Sequence, residues 1–148
     1  MTRINDETLR SFVGYHLKRS FNVIQSELIQ TLRPFELRML TYSALVLVVD
    51  NPGLNQSQLS QKLDIERPNL VVIIDELEER ELISRERVPT DRRSYALHPT
   101  DAGRALYQDA IAAVAQNEKD LLSAIDPDQL AQLVGTLQMI ENSKKRHG

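Results

Sequence analysis

Asn55-Gln56-Ser57-Gln58-Leu59-Ser60, Arg67-Pro68-Asn69-Leu70-Val71-Val72-Ile73-Ile74-Asp75-Glu76-Leu77-Glu78-Glu79-Arg80, Thr90-Asp91-Arg92-Arg93 and Thr100-Asp101-Ala102-Gly103 follow one another within residues 55–103. The first quartet reads as a capping box, because an Asn side chain can accept from the third helical N–H while Gln58 reaches back to the cap. It predicts a short helix over Gln56 to Leu63. Pro68 suits the first turn of a second helix, whose N–H groups lack intrahelical acceptors. Leu70, Ile73, Ile74 and Leu77 then repeat at i, i+3, i+4, i+7, the stripe of a core-facing helix, with Val71 and Val72 pointing elsewhere. Leu70 to Ile74 alone reads as well as a strand; the helix-forming run from Asp75 to Arg80 decides for helix. Leu82 to Arg87 and Ser94 to His98 alternate apolar and polar residues around a turn, as a two-stranded hairpin does. Helix, turn, helix and basic hairpin in that order are the plan of a winged helix-turn-helix, one helix sized for a DNA major groove and the hairpin for a minor groove.

The chain has 148 residues, 41% of them apolar, enough for one ordinary core and scarcely two, so a single domain spanning 1–148 is expected. Its net charge of −3 and pI near 5.6 run against the basic balance of most nucleic-acid binders. Positive charge must therefore be local, and residues 85 to 93 hold Arg85, Arg87, Arg92 and Arg93 against Glu86 and Asp91. With no cysteine, disulfides, thiolate metal sites and thiol redox sensing are excluded. The first residues lead into a charged amphipathic stretch, and no apolar run approaches the roughly 20 residues that span a bilayer. A soluble, cytoplasmic protein without membrane contact is expected.

Outward from the centre, Leu9, Phe12, Val13, Leu17, Phe21, Ile24, Leu28 and Leu32 predict one long helix from about Glu7 to Leu32, ended by Arg33-Pro34. Such a helix is about 38 Å long, more than a domain this small needs to cover its own core, so part of it should pack on another chain. Phe35 to Asp50 is apolar all round and predicts a helix buried on both sides, with a valine-rich buried strand as the competitor. Thr100-Asp101 caps a further helix through Ala124, and Asp126-Pro127-Asp128 starts a last one striped by Leu130, Leu133, Val134, Leu137 and Ile140. The fold class is thus mainly α with a small β-hairpin wing: a winged helix-turn-helix core over 35–99, flanked by long helices at 1–34 and 100–148.

The groups available for DNA follow from their positions. Arg67 and Asn69 stand on either side of Pro68 in the first turn of the second helix, where an Arg fork suits guanine O6 and N7 and an amide suits adenine N6 and N7. Arg67 has a plainer reading as an ion-pair partner of Glu66 or Asp64. Val71 and Val72 offer only apolar contact with thymine methyls. Gln56 and Ser57 begin the preceding helix, where hydroxyl, amide and free N–H groups suit a phosphate, or serve merely as caps. Arg92 and Arg93 near the wing tip can enter a minor groove, whose narrow A·T-rich stretches concentrate negative potential; otherwise they only solubilise an exposed hairpin.

These segments together, with Leu97-His98-Pro99-Thr100-Asp101-Ala102-Gly103-Arg104, resemble the MarR family of bacterial transcription regulators over nearly the whole chain. The resemblance implies a homodimer in which the first and last helices of two chains interleave, presenting two winged helices to palindromic DNA. A repressor is expected over an activator, because occupying a promoter needs no additional contact to polymerase. It assigns Arg93 as the groove-inserting arginine and Asp91 as the acid that orients it. It also implies a cleft between the dimerisation helices and each winged helix, accepting a small aromatic or phenolic effector. His16, Arg38 and Tyr42 are the polar candidates there, since an imidazole, a guanidinium and a phenol can hold a carboxylate and a ring. Two positions depart from the family. Glu81 stands where a glycine usually follows the recognition helix, so a left-handed cap there would cost about 1 kcal/mol unless the helix ends differently. Val71 and Val72 replace residues that are commonly polar.

Enzymatic readings find no support: His16, His98 and His147 are far apart, and no Gly-rich phosphate loop, HExxH spacing or Gly-x-Ser-x-Gly elbow occurs. No catalytic residue, metal or cofactor is expected. The stronger rival is a winged helix that binds a protein through Val71 and Val72 and no DNA.

Overall fold

The computed structural model describes residues 2–146, with the side chains of Asp91, Arg92, Arg93, Lys145 and Arg146 outside the description. In chain order the elements are α1 (Glu7–Arg10), α2 (Val13–Leu32), a 3-10 turn (Arg33–Phe35), α3 (Met39–Asp50), β1 (Leu54–Asn55), α4 (Gln56–Leu63), α5 (Arg67–Glu79), β2 (Ile83–Val88), β3 (Asp91–Pro99), α6 (Asp101–Leu121), α7 (Pro127–Glu141) and a terminal 3-10 turn (Ser143–Arg146). It is a mainly α winged helix-turn-helix with long helices at both ends.

The core is built where apolar stripes converge. Leu70, Ile73, Ile74 and Leu77 of α5 meet Ala44, Leu45 and Val48 of α3, Leu59 of α4, Leu97 of β3 and Ala110 of α6, all buried. The stripe read from the sequence is thus the buried face of α5, and the segment expected as a helix over Phe35 to Asp50 is helical, not a strand, but only from Met39 to Asp50, since Phe35 ends the 3-10 turn and Glu36 is left-handed (φ +53°). The capping box of α4 is reciprocal: the Gln58 N–H donates to Asn55 Oδ1 at 2.8 Å, and the Asn55 N–H donates to Gln58 Oε1 at 3.0 Å.

Three expectations need correction. The first helix is broken: Phe12 takes an extended backbone (φ −110°, ψ 134°), so α1 and α2 meet at a corner. Asp6 holds the corner, accepting from the Tyr15 hydroxyl at 2.7 Å and pairing with Arg10 Nε at 2.9 Å. These contacts, with the Tyr15 hydroxyl leading, hold the Asp6 carboxyl below its ordinary range. The apolar spacing runs straight through the break, which is why periodicity alone does not reveal it.

Secondly, the sheet has three strands in the order β1-β3-β2, because Leu54 and Asn55 pair antiparallel with Leu97 and Ala96. Asn55 therefore both closes a strand and caps α4. Thirdly, the wing turns at Pro89 and Thr90, within the Pro-Thr-Asp stretch between the two alternating segments, and Thr90-Asp91-Arg92-Arg93 does not close it, because the backbone of 91–93 already belongs to β3. A register shift between Arg87 and Val88 accompanies the turn.

The junction after α5 is tightly packed. Glu81 adopts φ +57°, and the N–H groups of Glu81 and Leu82 donate to the carbonyls of Glu78 and Leu77, both at 2.9 Å. This is the left-handed Schellman ending, formed without the glycine that usually serves it. The Leu82 carbonyl then accepts from the Thr100 N–H at 3.1 Å, and a Cβ on Gly103 would lie 2.0 Å from that same oxygen. Thr100 Oγ1 donates to the Glu81 carbonyl at 2.7 Å and accepts from the Gly103 N–H at 2.9 Å. One threonine thereby joins the ends of α5 and β3 to the start of α6.

Candidate nucleic-acid interface and effector cavity

Arg67 is the first residue of α5 and Pro68 the second, after an extended Glu66 whose side chain makes no cap. The Glu66 carbonyl instead accepts from Asn69 and Leu70 N–H, both at 3.1 Å. Arg67, Pro68 and Asn69 are exposed, and among the described residues Arg67 makes no ion pair, so Glu66 and Asp64 do not engage it. Val71 and Val72 lie on the same open side, 37% and 62% exposed. At the start of α4, Ser57 is exposed and Gln56 half-buried. The free end of α5 and the first turn of α4 are thus open to a ligand while the opposite face of α5 is locked in the core.

The wing carries less free charge than its composition suggests. Arg85 turns back onto α5: its Nε donates to Glu78 Oε2 at 3.0 Å, and its Nη2 also pairs with Asp75. These carboxylates, Glu78 first, raise the Arg85 pKa. Of the four arginines counted in the wing, this one is committed to the recognition helix and is not available to a phosphate. Arg87 is exposed, and Glu86 lies 3.5 Å from His98 Nε2. The side chains of Asp91, Arg92 and Arg93, expected at the wing tip, fall outside the described residues.

An open cavity of about 870 Å³ lies between α2, the 33–38 segment, α3 and α5. Ile29, Leu37, Met39 and Leu40 give it apolar walls, and Arg33, Arg38 and Glu76 its charges. Arg38 caps α3 and pairs with Glu76 of α5 across the rim. Just beyond, the Arg80 guanidinium donates to the carbonyls of Glu36 at 2.8 Å and Phe35 at 3.1 Å.

Of the three residues expected around an effector, only Arg38 lines this cavity. His16 sits in the first turn of α2 with Nε2 at 2.6 Å from the Arg10 carbonyl, which can only accept, so Nε2 carries the proton. It serves the α1–α2 corner. Tyr42 packs half-buried against the core, where burial and then the charge of Glu118 raise its pKa. Glu76 and Arg80 were missed. Arg38, at the cap of α3, and Glu76, within α5, share no motif; only the fold makes them neighbours.

At the other end of the chain α7 buries none of its residues: Leu133, Val134, Leu137, Met139 and Ile140 are exposed. Leu9, Phe12, Val13 and Phe21 of the first two helices and the turn between them are exposed likewise. No helix among the described residues is long and apolar enough to cross a membrane. These faces are apolar without a cover from their own chain.

Residues 37–95 match the MarR family. A putative transcriptional regulatory protein for the hcr operon of Thauera aromatica is 31% identical over 129 residues, 86% of this chain and 78% of that protein. The transcriptional repressor CouR bound to a 23-mer DNA duplex superimposes with a TM-score of 0.90 at 35% identity, over 95% of this chain and 99% of the other. CouR from Rhodococcus jostii RHA1 bound to p-coumaroyl-CoA gives 0.80 at 30% identity, over 89% and 93%.

Proposed function

The chain belongs to the MarR family of transcription regulators, and on that premise we propose that it is a cytoplasmic homodimeric repressor that binds a palindromic operator and is released by an aromatic effector. The observation that carries this reading is the open first turn of α5, with exposed Asn69 and an Arg67 that makes no ion pair among the described residues, on a scaffold that matches a DNA-bound repressor along almost its whole length. In this reading Arg67 and Asn69 read base edges from the turn started by Pro68, and Val71 and Val72 touch thymine methyls. Gln56 and Ser57 hold a phosphate, and Arg92 and Arg93 follow the minor groove with Asp91 orienting Arg93.

Residues 35–99 form the DNA-reading unit, and 1–34 with 100–148 supply the dimer. The uncovered apolar stripe of α7 supports this division, because such a face gains stability only when a second chain covers it. The effector belongs in the cavity of α2, α3 and α5, whose apolar walls fit an aromatic acyl group and whose Arg33 and Arg38 fit its anionic part. The p-coumaroyl-CoA of CouR supports an aromatic acid or its acyl thioester as the chemical class.

Selection of bound duplexes from a random pool, followed by titration across salt concentrations, tests the DNA reading. An inverted repeat with half-sites about 10 bp apart and a steep negative salt slope is expected. In the same assay Arg93→Ala should weaken binding by about 2 kcal/mol with the dimer intact. No enrichment from folded, dimeric protein would favour a protein partner for Val71 and Val72.

A further inference from the structure

We propose that Glu76 is a built-in anion occupying one of the two cations that the effector meets, so that an effector releases DNA only if it is anionic and takes Glu76's place at Arg38. The proposal rests on the effector reading of the cavity. Arg38 is suited to exchange partners because its backbone is fixed and its side chain is not. Its N–H donates to Thr41 Oγ1 at 2.8 Å, and Thr41 is fully buried, whereas the Arg38 side chain is 65% exposed and that of Glu76 36%. An ion pair this open to water is weak and yields to a competing carboxylate or phosphate that also gains contact with the cavity walls.

The consequence for DNA lies in the charge of α5. Its second half carries Asp75, Glu76, Glu78 and Glu79, on a helix whose first turn is to meet a polyanion. Asp75 and Glu78 share the single positive charge of Arg85 from the wing, which offsets one of their two negative charges, and Glu76 is paired by Arg38 from the cavity rim. An anion that captures Arg38 leaves Glu76 without its counter-charge. The ligand and Arg38 then form a neutral pair, and α5 carries one more uncompensated negative charge, which weakens its attraction to the phosphates through the summed field of the reading head. No large movement is needed. The Arg80 guanidinium still ties the end of α5 to the Phe35 and Glu36 carbonyls, so the helix stays docked while its field changes. A neutral aromatic molecule of the same shape fills the apolar part and leaves the pair, and the DNA, as they were.

A double-mutant cycle on operator affinity at fixed salt tests the charge argument without any ligand. Arg38→Gln, which mimics capture of Arg38, should weaken binding about two- to fivefold, and Arg38→Gln/Glu76→Gln should recover most of that loss. An Arg38→Gln loss that persists undiminished beside Glu76→Gln would overturn the proposal, since it would place Arg38 directly on the DNA. The ligand arm uses p-coumaroyl-CoA. Glu76→Gln should bind it more tightly than wild type by a similar factor, yet release DNA less in response. Equal release from both proteins would overturn the exchange while leaving the effector reading intact. Failure of the thioester to bind wild type would overturn the effector reading and, with it, exchange at Arg38, whatever the cycle shows.

Discussion

In the middle of the chain Leu59, Leu70, Ile74, Leu77 and Leu97 are covered completely by neighbours from the same chain, whereas near its ends Phe12, Phe21, Leu133 and Val134 stand about half open or more. Both regions show the same amphipathic spacing in the sequence. The difference teaches that periodicity reports which face of a helix is to be buried but says nothing of whose atoms will bury it. In α5 the stripe faces α3 and α4 a short loop away; in α7 the own chain offers nothing opposite. In the proposed dimer, central and terminal helices are therefore stable for separate reasons, one internal and one shared between chains.

The largest effect expected is on the shared side. Leu17→Ala with Phe21→Ala should remove roughly 4 kcal/mol or more of contact per chain and shift the protein toward monomer in sedimentation. A stable dimer of that variant would break the division drawn here. On the internal side, Gly103→Ala sets a methyl against the Leu82 carbonyl and should cost about 3 kcal/mol in urea unfolding, since backbone cannot withdraw as a side chain can. A cost below about 1 kcal/mol would mean that the α5–α6 junction is looser than it looks.

Smaller, and of opposite sign, is Glu81→Gly. The left-handed backbone there is strained for glutamate, so glycine should raise stability by about 1 kcal/mol, read as a higher denaturation midpoint. No gain would show that the glutamate side chain compensates by contacts of its own. The smallest effect belongs to the α1–α2 corner. The Asp6 pKa is lowered in the folded state, so its contribution is present above the ordinary value of 3.8 and is lost as pH falls through the lowered one. Asp6→Asn at pH 7 should shift NMR signals of α1 and leave the melting of the core unchanged. A change in core melting would join the two regions that the structure keeps apart.

The sequence makes the centre legible because its signals are local: the stripe of α5, the reciprocal Asn55 and Gln58 cap, and the proline at the start of α5 each concern residues within one or two turns. The elements that were not read depend on distant partners. β1 is two residues long and exists only because Leu97 and Ala96 lie beside it. The break at Phe12 is held by polar contacts from Asp6 to Tyr15, within an apolar spacing that never falters. In the candidate site the exposed end of α5 was legible, whereas the turning of Arg85 to Asp75 and Glu78, and of Arg38 to Glu76, follows from how strand and helix are laid together.

Between Pro99, the last residue of the wing strand, and Asp101, the first of α6, stands only Thr100, bonded on three sides. There is no hinge at this point. In the proposed dimer, each wing strand and its own α6 then turn as one piece, with no play between reading head and dimerisation helix at this junction. DNA rotates by about 35° for each added base pair, and a rigid fitting cannot follow even one such step. On the proposed two-armed operator, the spacer, whose bases no side chain need touch, is then as much a part of the recognised message as the arms.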